Sequence, residues 1–266
     1  MNTNTDQKVK EILHNHYSNN CNEEERLVKD RAHNIEFITT DKYIKKYLKK
    51  GDKILEIGAA TGRYSVYYAS KGYEVNAIDL LECNLQILKS KIEPQMKINA
   101  IKGNAKDLSK FKDNYFDITL CLGPLYHLYS KEDINQAIKE TIRVTKKGGI
   151  IFLAYITNEA VILNYGLRKG NLKRVKELMD ENCKIQNIPE EIFSVFTVED
   201  FNKTIRKFKL KELHQVATDS LWTMFADKIE NLSDEEYKIW KEIHLKNCER
   251  KDLIGYSSHI LYIAKK

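Results

Sequence analysis

Between residues 53 and 156, short apolar runs alternate with amphipathic stretches of helical period, a rhythm that predicts parallel strands joined by crossover helices. The strands are expected at residues 53–57, 74–79, 97–102, 116–122 and 149–155. Helices are expected at 62–70, 83–91 and 131–145. The last of these carries end signals: Ser130 and Asp133 resemble a capping box, Lys146 and Lys147 fall in the last turn, and Gly148 follows as a terminator.

The flanks read differently. Residues 1–50 are helical in pattern, interrupted by a polar segment near Asn19 to Asn22, and predict a helical lid. Residues 158–182 and 189–207 are also helical in pattern, the second opening on Thr197 and Asp200, so a helical insertion is expected at about 156–205. Strands at 209–217 and 258–264, separated by a helix at 234–245 that Ser233 and Glu236 would cap, return the chain to the sheet. The sum is a doubly wound α/β domain over residues 51–266, with a mostly parallel sheet of seven strands.

Composition narrows the class. With 266 residues, 3 Pro and 11 Gly, no Pro-rich or Gly/Ser-rich linker and no repeat divides the chain, so one large α/β domain is expected. The polar start lacks a secretory pattern, and no apolar run approaches the roughly 20 residues needed to cross a bilayer, which predicts a cytoplasmic protein without a membrane partner. Five scattered cysteines (Cys21, Cys83, Cys121, Cys183, Cys248), with no Cys-x-x-Cys pair, predict neither a metal nor a disulfide frame. The formal charge of +6 raises nucleic acid as a partner. Its densest cluster, Lys42, Lys45, Lys46, Lys49, Lys50 and Lys53, lies beside Tyr43, Ile44, Tyr47 and Leu48 at helical spacing, however, and reads as the wet face of an amphipathic helix. Nothing indicates an oligomeric state.

The strongest chemical signal is the run from Ile54 to Tyr64. A buried strand ends in Glu56, turns on Gly58, Ala60 and Gly62, and enters a helix, which brings backbone close to a ligand. Dinucleotide enzymes use a similar turn to hold pyrophosphate. Glu56 would repel that anion and attract an ammonium. Asp79, ending the second strand, suits a ribose diol; Asn104, after the third, offers an amide to an adenine edge.

This series, with Gly103-Asn104-Ala105 and Phe116-Asp117-Ile118, resembles the successive motifs of class I S-adenosylmethionine-dependent methyltransferases. Gly123-Pro124-Leu125-Tyr126-His127-Leu128 is similar to a "GPLYHL" segment of a bacterial small-molecule branch, and Gly255-Tyr256-Ser257-Ser258-His259 is similar to a late strand element of that branch. The resemblance implies a Rossmann-like methyltransferase fold and S-adenosylmethionine as cofactor. Glu56 would face the methionine ammonium, with Gly58, Ala60 and Gly62 bordering the methionine part. Asp79 and Leu80 would lie at the ribose, Asn104 and Ala105 would flank adenine, and Leu122 and Gly123 would line the cofactor beside the acceptor. Ala60 departs from the family's middle glycine, and Asn104 stands where Asp is frequent.

Methyl transfer from a sulfonium is an in-line displacement governed by alignment. For an acceptor that loses a proton, His127 is the first candidate base, with Tyr126 and His259 next. Tyr17, Arg31, Glu36, Thr39 and Thr40 are candidates to face the pocket, whereas Tyr165, Phe193, Phe196 and Trp222 read as packing. A helical lid suits a small molecule. The rivals are an RNA or protein methyltransferase, which would favour an Asn/Asp-Pro-Pro-Tyr/Phe turn where this chain has Leu122-Gly123-Pro124-Leu125, a non-catalytic binding module of the same fold, and an NAD oxidoreductase.

Overall fold

The computed structural model describes residues 3–17 and 23–266. Helices α1 (Thr3–Asn15) and α2 (Arg31–Tyr47) precede an alternating series: β1 (Lys53–Ile57), α3 (Arg63–Ser70), β2 (Glu74–Asp79), α4 (Glu82–Ser90), β3 (Lys97–Lys102), β4 (Phe116–Cys121), α5 (Lys131–Val144) and β5 (Thr145–Thr157). Then come α6 (Asn158–Ala160), a π-helical stretch Val161–Arg168, α7 (Leu172–Leu178), β6 (Val195–Phe196), α8 (Val198–Ile205), β7 (Lys211–Ala217), α9 (Ala226–Glu230), α10 (Asp234–Asn247) and β8 (His259–Lys265).

The sheet order is β3-β2-β1-β4-β5-β8-β7, with β6 paired to the end of β5. The first five strands are parallel, and β8 runs antiparallel between β5 and β7. Strand order reverses at β1, whose neighbours are β2 and β4. In open α/β sheets, ligands bind at the carboxyl ends of the strands beside such a reversal.

Alternation along the strands separates two cores. Ile54, Ile118, Leu120, Phe152 and Leu261 join Tyr43 and Ile44 of α2 and Tyr64 and Tyr68 of α3 on one face. Leu55, Ile57, Cys121, Leu153 and Tyr262 join Ile134 and Ile138 of α5 and Phe201 of α8 on the other. This period of two puts Glu56 on the α2–α3 face, buried at 3% exposure. Because α2 packs into the sheet's own core, covering the strand ends falls to α1 and residues 23–30.

Three sequence expectations are corrected. The helix before β5 stops at Val144, and Lys146, Lys147 and Gly148 belong to the strand: Thr145 pairs with Phe116 and its hydroxyl lies 2.7 Å from that of Thr119. Gly149 is required there, since a Cβ would stand 2.9 Å from the Asp117 carbonyl oxygen. The insertion is not wholly helical, for Ile156 and Thr157 pair with Val195 and Phe196, making the sheet eight-stranded. The N-caps form at the residues read, with Ser130, Thr197 and Ser233 accepting from the backbones of Asp133, Asp200 and Glu236, but the reciprocal bond of a capping box is made only by Glu236 among these three. Asn19 to Asn22 and Cys21 lie outside the described residues.

Candidate functional site

The turn after β1 is built from conformations that demand small residues. Gly58, Ala60 and Gly62 have φ of 72°, 46° and 86°. The N–H groups of Gly58 and Ala59 both donate to the Ile78 carbonyl at 2.8 Å, and the Ala60 N–H donates to an Asp79 carboxylate oxygen at 2.8 Å. Asp79 also accepts from the Leu81 N–H at 2.9 Å and the Asn84 amide at 3.2 Å. A carboxylate has about four acceptor positions, so three internal bonds fix it and leave one open.

A cavity of about 700 Å³ lies over these turns. Its walls contain Glu56, Gly58, Ala60, Asp79, Leu80, Asn104, Ala105, Leu122, Gly123, Tyr126 and His127, so the two carboxylates do converge on one space. Gly62 is the exception, because it stays behind the wall. A Cβ there would lie 2.5 Å from Leu88 Cγ, so this glycine lets α3 and α4 approach rather than bordering the cavity. Gly123 has no such crowding: an added Cβ would find the Gly58 carbonyl at 3.6 Å and the Tyr126 hydroxyl at 3.7 Å.

Burial governs the electrostatics. The Glu56 carboxyl takes a hydrogen bond from the Ser65 hydroxyl, and desolvation pushes it up to about 8, with the neighbouring charge of Asp79 adding to the rise. No Lys or Arg forms an ion pair with it among the described residues. Asp79 is also raised by burial, against the bonds from Leu81, Ala60 and Asn84. Asn104 turns its side-chain oxygen back to the Lys106 N–H at 3.0 Å, closing a local turn.

On the far side of the cavity, Tyr126 is buried and its hydroxyl is held well above the usual tyrosine range by desolvation. His127 Nδ1 lies 3.0 Å from the Ile192 carbonyl oxygen and Nε2 lies 2.8 Å from the Tyr17 hydroxyl. A carbonyl only accepts, so Nδ1 carries the proton and Nε2 receives the Tyr17 O–H. Burial lowers this histidine to about 4, which keeps it neutral at pH 7.

Tyr17 therefore lies on the wall as anticipated. Arg31 instead clamps the Leu232 carbonyl and Asp234, and Thr39 meets His244 at 3.0 Å. The aromatic residues read as packing pack: Trp222 contacts Trp240 and His244, and Phe196 contacts Tyr155 and Phe201. Sequence reasoning missed Glu23, Glu24 and Arg26, all on the wall. Arg26 Nη1 is 2.8 Å from Glu36 and Nε is 2.9 Å from Glu23, while Lys91 joins Glu24 to the Thr61 carbonyl. Arg26 and Glu23 are an i,i+3 pair, but the partners that bring Arg26 and Glu24 to the wall, Glu36 and Lys91, lie in other elements.

Residues 55–153 match a family model described as "Methyltransferase domain". The fold is that of the S-adenosylmethionine-dependent methyltransferases. Along 97% of this chain and 99% of its own, a structure from Thermotoga maritima titled as an S-adenosylmethionine-dependent methyltransferase, possible histamine N-methyltransferase, superposes with a TM-score of 0.58 at 18% identity. Among curated sequences, the demethylmenaquinone methyltransferase of Paenarthrobacter aurescens is 35% identical over 44% of this chain and 43% of its own. A putative ribosomal RNA large subunit methyltransferase of Methanocaldococcus jannaschii is 32% identical over 36% of this chain and 27% of its own. The chain thus aligns with less than half the length of both relatives. S-adenosylmethionine is the cofactor that a domain of this kind takes.

The residues fit that cofactor on a specific ground. A buried carboxyl pushed up to about 8 by desolvation, lining the cavity with no ion-pair partner among the described residues, has the chemistry to receive an ammonium group. Among the described residues no helix is long and apolar enough to cross a membrane.

Proposed function

We propose that this protein is an enzyme that transfers the methyl group of S-adenosylmethionine to a small-molecule acceptor. The observation that carries the reading is the convergence of Glu56 and Asp79 on one cavity at the sheet's reversal point. Bound there, the cofactor supplies a sulfonium-activated methyl group. Glu56 faces the methionine ammonium, Gly58 and Ala60 border the methionine part, Asp79 and Leu80 take the ribose, and Asn104 and Ala105 flank adenine. Leu122 and Gly123 separate this half from the acceptor half, where Tyr126 and His127 stand.

The chain's own contribution is alignment and the exclusion of water. Tyr17, Leu13 and Arg26 roof the cavity from the N-terminal side, and Pro189 of the 156–205 insertion closes another edge. The insertion also sets the 124–128 segment: the Ile192 carbonyl takes His127, and Ser194 donates to the Leu128 carbonyl at 2.8 Å. A roofed space of this size favours a small acceptor over a macromolecule. In that setting His127 works first as the anchor of Tyr17, since its one lone pair is already engaged.

The test is calorimetric titration of S-adenosylmethionine, followed by transfer of labelled methyl from it into a metabolite extract, with RNA run in parallel. Label in small molecules supports the reading. Label in RNA alone sinks the acceptor class, and absence of binding sinks the whole proposal.

A further inference from the structure

The Tyr126 hydroxyl is a polar atom of the cavity wall that no other group of the protein holds. Tyr126 belongs to the 3-10 turn Pro124–His127 after β4 and is 7% exposed. The Ser194 N–H donates to its carbonyl at 2.8 Å, and its ring packs edge-on against His127 and Phe193 with centroids 5.0 and 6.0 Å away, so the side chain is fixed. The hydroxyl itself makes no hydrogen bond among the described residues. It is also not sealed, because the single buried side-chain nitrogen or oxygen without a partner among them is Asn135 Oδ1. On a residue that lines the cavity, it therefore opens into that space.

Gly123 sets its place there. A Cβ on that glycine would stand 3.7 Å from the hydroxyl and 3.6 Å from the Gly58 carbonyl oxygen, so the hydroxyl faces the strip between the turns after β1 and β4. The turns after β2 and β3, with Asp79 and Asn104, lie on the other side of β1. A cofactor with its ribose and adenine on that side and its ammonium at Glu56 has its methyl end toward β4, where Tyr126 stands.

Burial holds the hydroxyl well above the usual tyrosine range; the Arg26 cation draws it down, and Glu36, Glu23 and Cys121 push it up. It stays a proton-bearing donor through the neutral range and takes no proton from an acceptor. His127 takes none either, since its lone pair receives the Tyr17 O–H and burial lowers it to about 4. Arg26, also on the wall, engages three of its five N–H donors with Glu23 and Glu36. A hydroxyl donor beside a guanidinium suits an oxygen that arrives already ionised, and Leu13, Tyr17 and Leu27 on the same wall suit a flat, largely apolar body.

We propose that the Tyr126 hydroxyl donates its hydrogen bond to the attacking atom of the methyl acceptor, and that this atom is the oxyanion of an acidic phenol or enol. This inference rests on the methyl-transfer reading above. The acceptor's proton leaves to water before transfer, and Tyr126 keeps its own. One lone pair of the oxyanion accepts the Tyr126 hydrogen, while another forms the bond to the methyl carbon as the carbon–sulfur bond breaks and its electron pair goes to sulfur. The anion's charge cancels that of the sulfonium, a change that a buried, low-dielectric space favours. A neutral amine has one lone pair, which cannot both accept that hydrogen and attack.

The first measurement needs no turnover. Nitrophenols titrated optically on the full chain with S-adenosylhomocysteine bound should ionise at lower pH on wild type than on Tyr126→Phe. The second is labelled methyl transfer to phenols of graded acidity, alkyl alcohols, amines and thiols. Label should go to the phenols, and the inflection of kcat/KM with pH should follow each phenol's own ionisation instead of staying at one enzyme value. Tyr126→Phe should lose about tenfold or more in kcat/KM, mostly through KM, and keep its S-adenosylmethionine affinity. The proposal is overturned by equal ionisation of the bound phenol on both proteins, by equal kcat/KM in both, or by cofactor affinity lost along with turnover in Tyr126→Phe. It is overturned as well by an inflection that ignores the acceptor, by label confined to alcohols, amines or thiols, or by a cofactor-binding chain that binds no phenol or labels no panel member. A chain that fails to bind S-adenosylmethionine overturns the underlying reading instead.

Discussion

The Ala60 N–H donates to the Asp79 carboxylate at 2.8 Å, so the residue expected to hold a ribose also ties the turn after β1 to the end of β2. The two roles share one side chain. Asp79→Ala should weaken S-adenosylmethionine binding at least tenfold, combining a lost acceptor with a loosened turn. Asp79→Asn keeps the size and one acceptor oxygen and should lose less. Calorimetry on both variants checks the order, and equal affinity in all three proteins would remove Asp79 from the site.

Glu56 makes cofactor binding pH-dependent with a definite sign. A carboxyl with a value of about 8 carries roughly 0.9 of a proton at pH 7. An arriving ammonium favours the carboxylate, so binding should release close to one proton at pH 7 and strengthen from pH 6 to pH 8. Titrations in buffers of different ionisation enthalpy measure that release. Stability without cofactor runs the other way. Because the folded value is raised, the Glu56 contribution is complete below about 4.5, the unfolded value, and is lost as pH rises toward 8. Glu56→Gln should therefore melt higher than wild type at pH 8 to 9 while binding cofactor at least tenfold more weakly.

Much of the fold was legible because strands β1 to β4 are short apolar runs closed by turn residues. The start of β5 was not: Thr145 to Gly149 carries helix-ending residues, and only pairing with Phe116 and the tight approach of Gly149 to Asp117 make it a strand. Two-residue β6 is too short for any period. At the site, Glu56 and Asp79 were readable because each terminates a strand. Arg26 and Glu24 were not, because their partners Glu36 and Lys91 are brought to them by tertiary packing, and Glu23 follows as the i,i+3 partner of Arg26.

Two glycines with nearly the same φ should respond differently to alanine. Gly62 at 86° faces Leu88 at 2.5 Å, whereas Gly72 at 88° has open space around it. Gly72→Ala should cost only the left-handed conformation, about 1–2 kcal/mol. Gly62→Ala adds overpacking of roughly 1–3 kcal/mol against α4. Urea unfolding of the two variants separates these contributions, and equal losses would mean that Leu88 yields without strain.

Two buried histidines should dominate the acid limb of stability. His127 donates from Nδ1 to the Ile192 carbonyl. His244 takes the Trp222 indole N–H on Nδ1 at 3.1 Å and so carries its own proton on Nε2, toward Thr39. Burial lowers both to about 4. A depressed histidine contributes stability that is complete above the unfolded value near 6.5 and is lost as pH falls toward 4, up to about 3 kcal/mol for each. Urea midpoints should therefore drop between pH 6.5 and pH 4. His127→Asn retains a donor for the Ile192 carbonyl but cannot charge, so its acid limb should be shallower by one histidine's share, although Tyr17 loses its acceptor. His259, raised rather than lowered, opposes the trend: its contribution is complete below 6.5 and fades as pH climbs past the folded value. An acid limb in His127→Asn as steep as that of wild type would mean that His127 ionises freely and is not sealed between Tyr17 and Ile192.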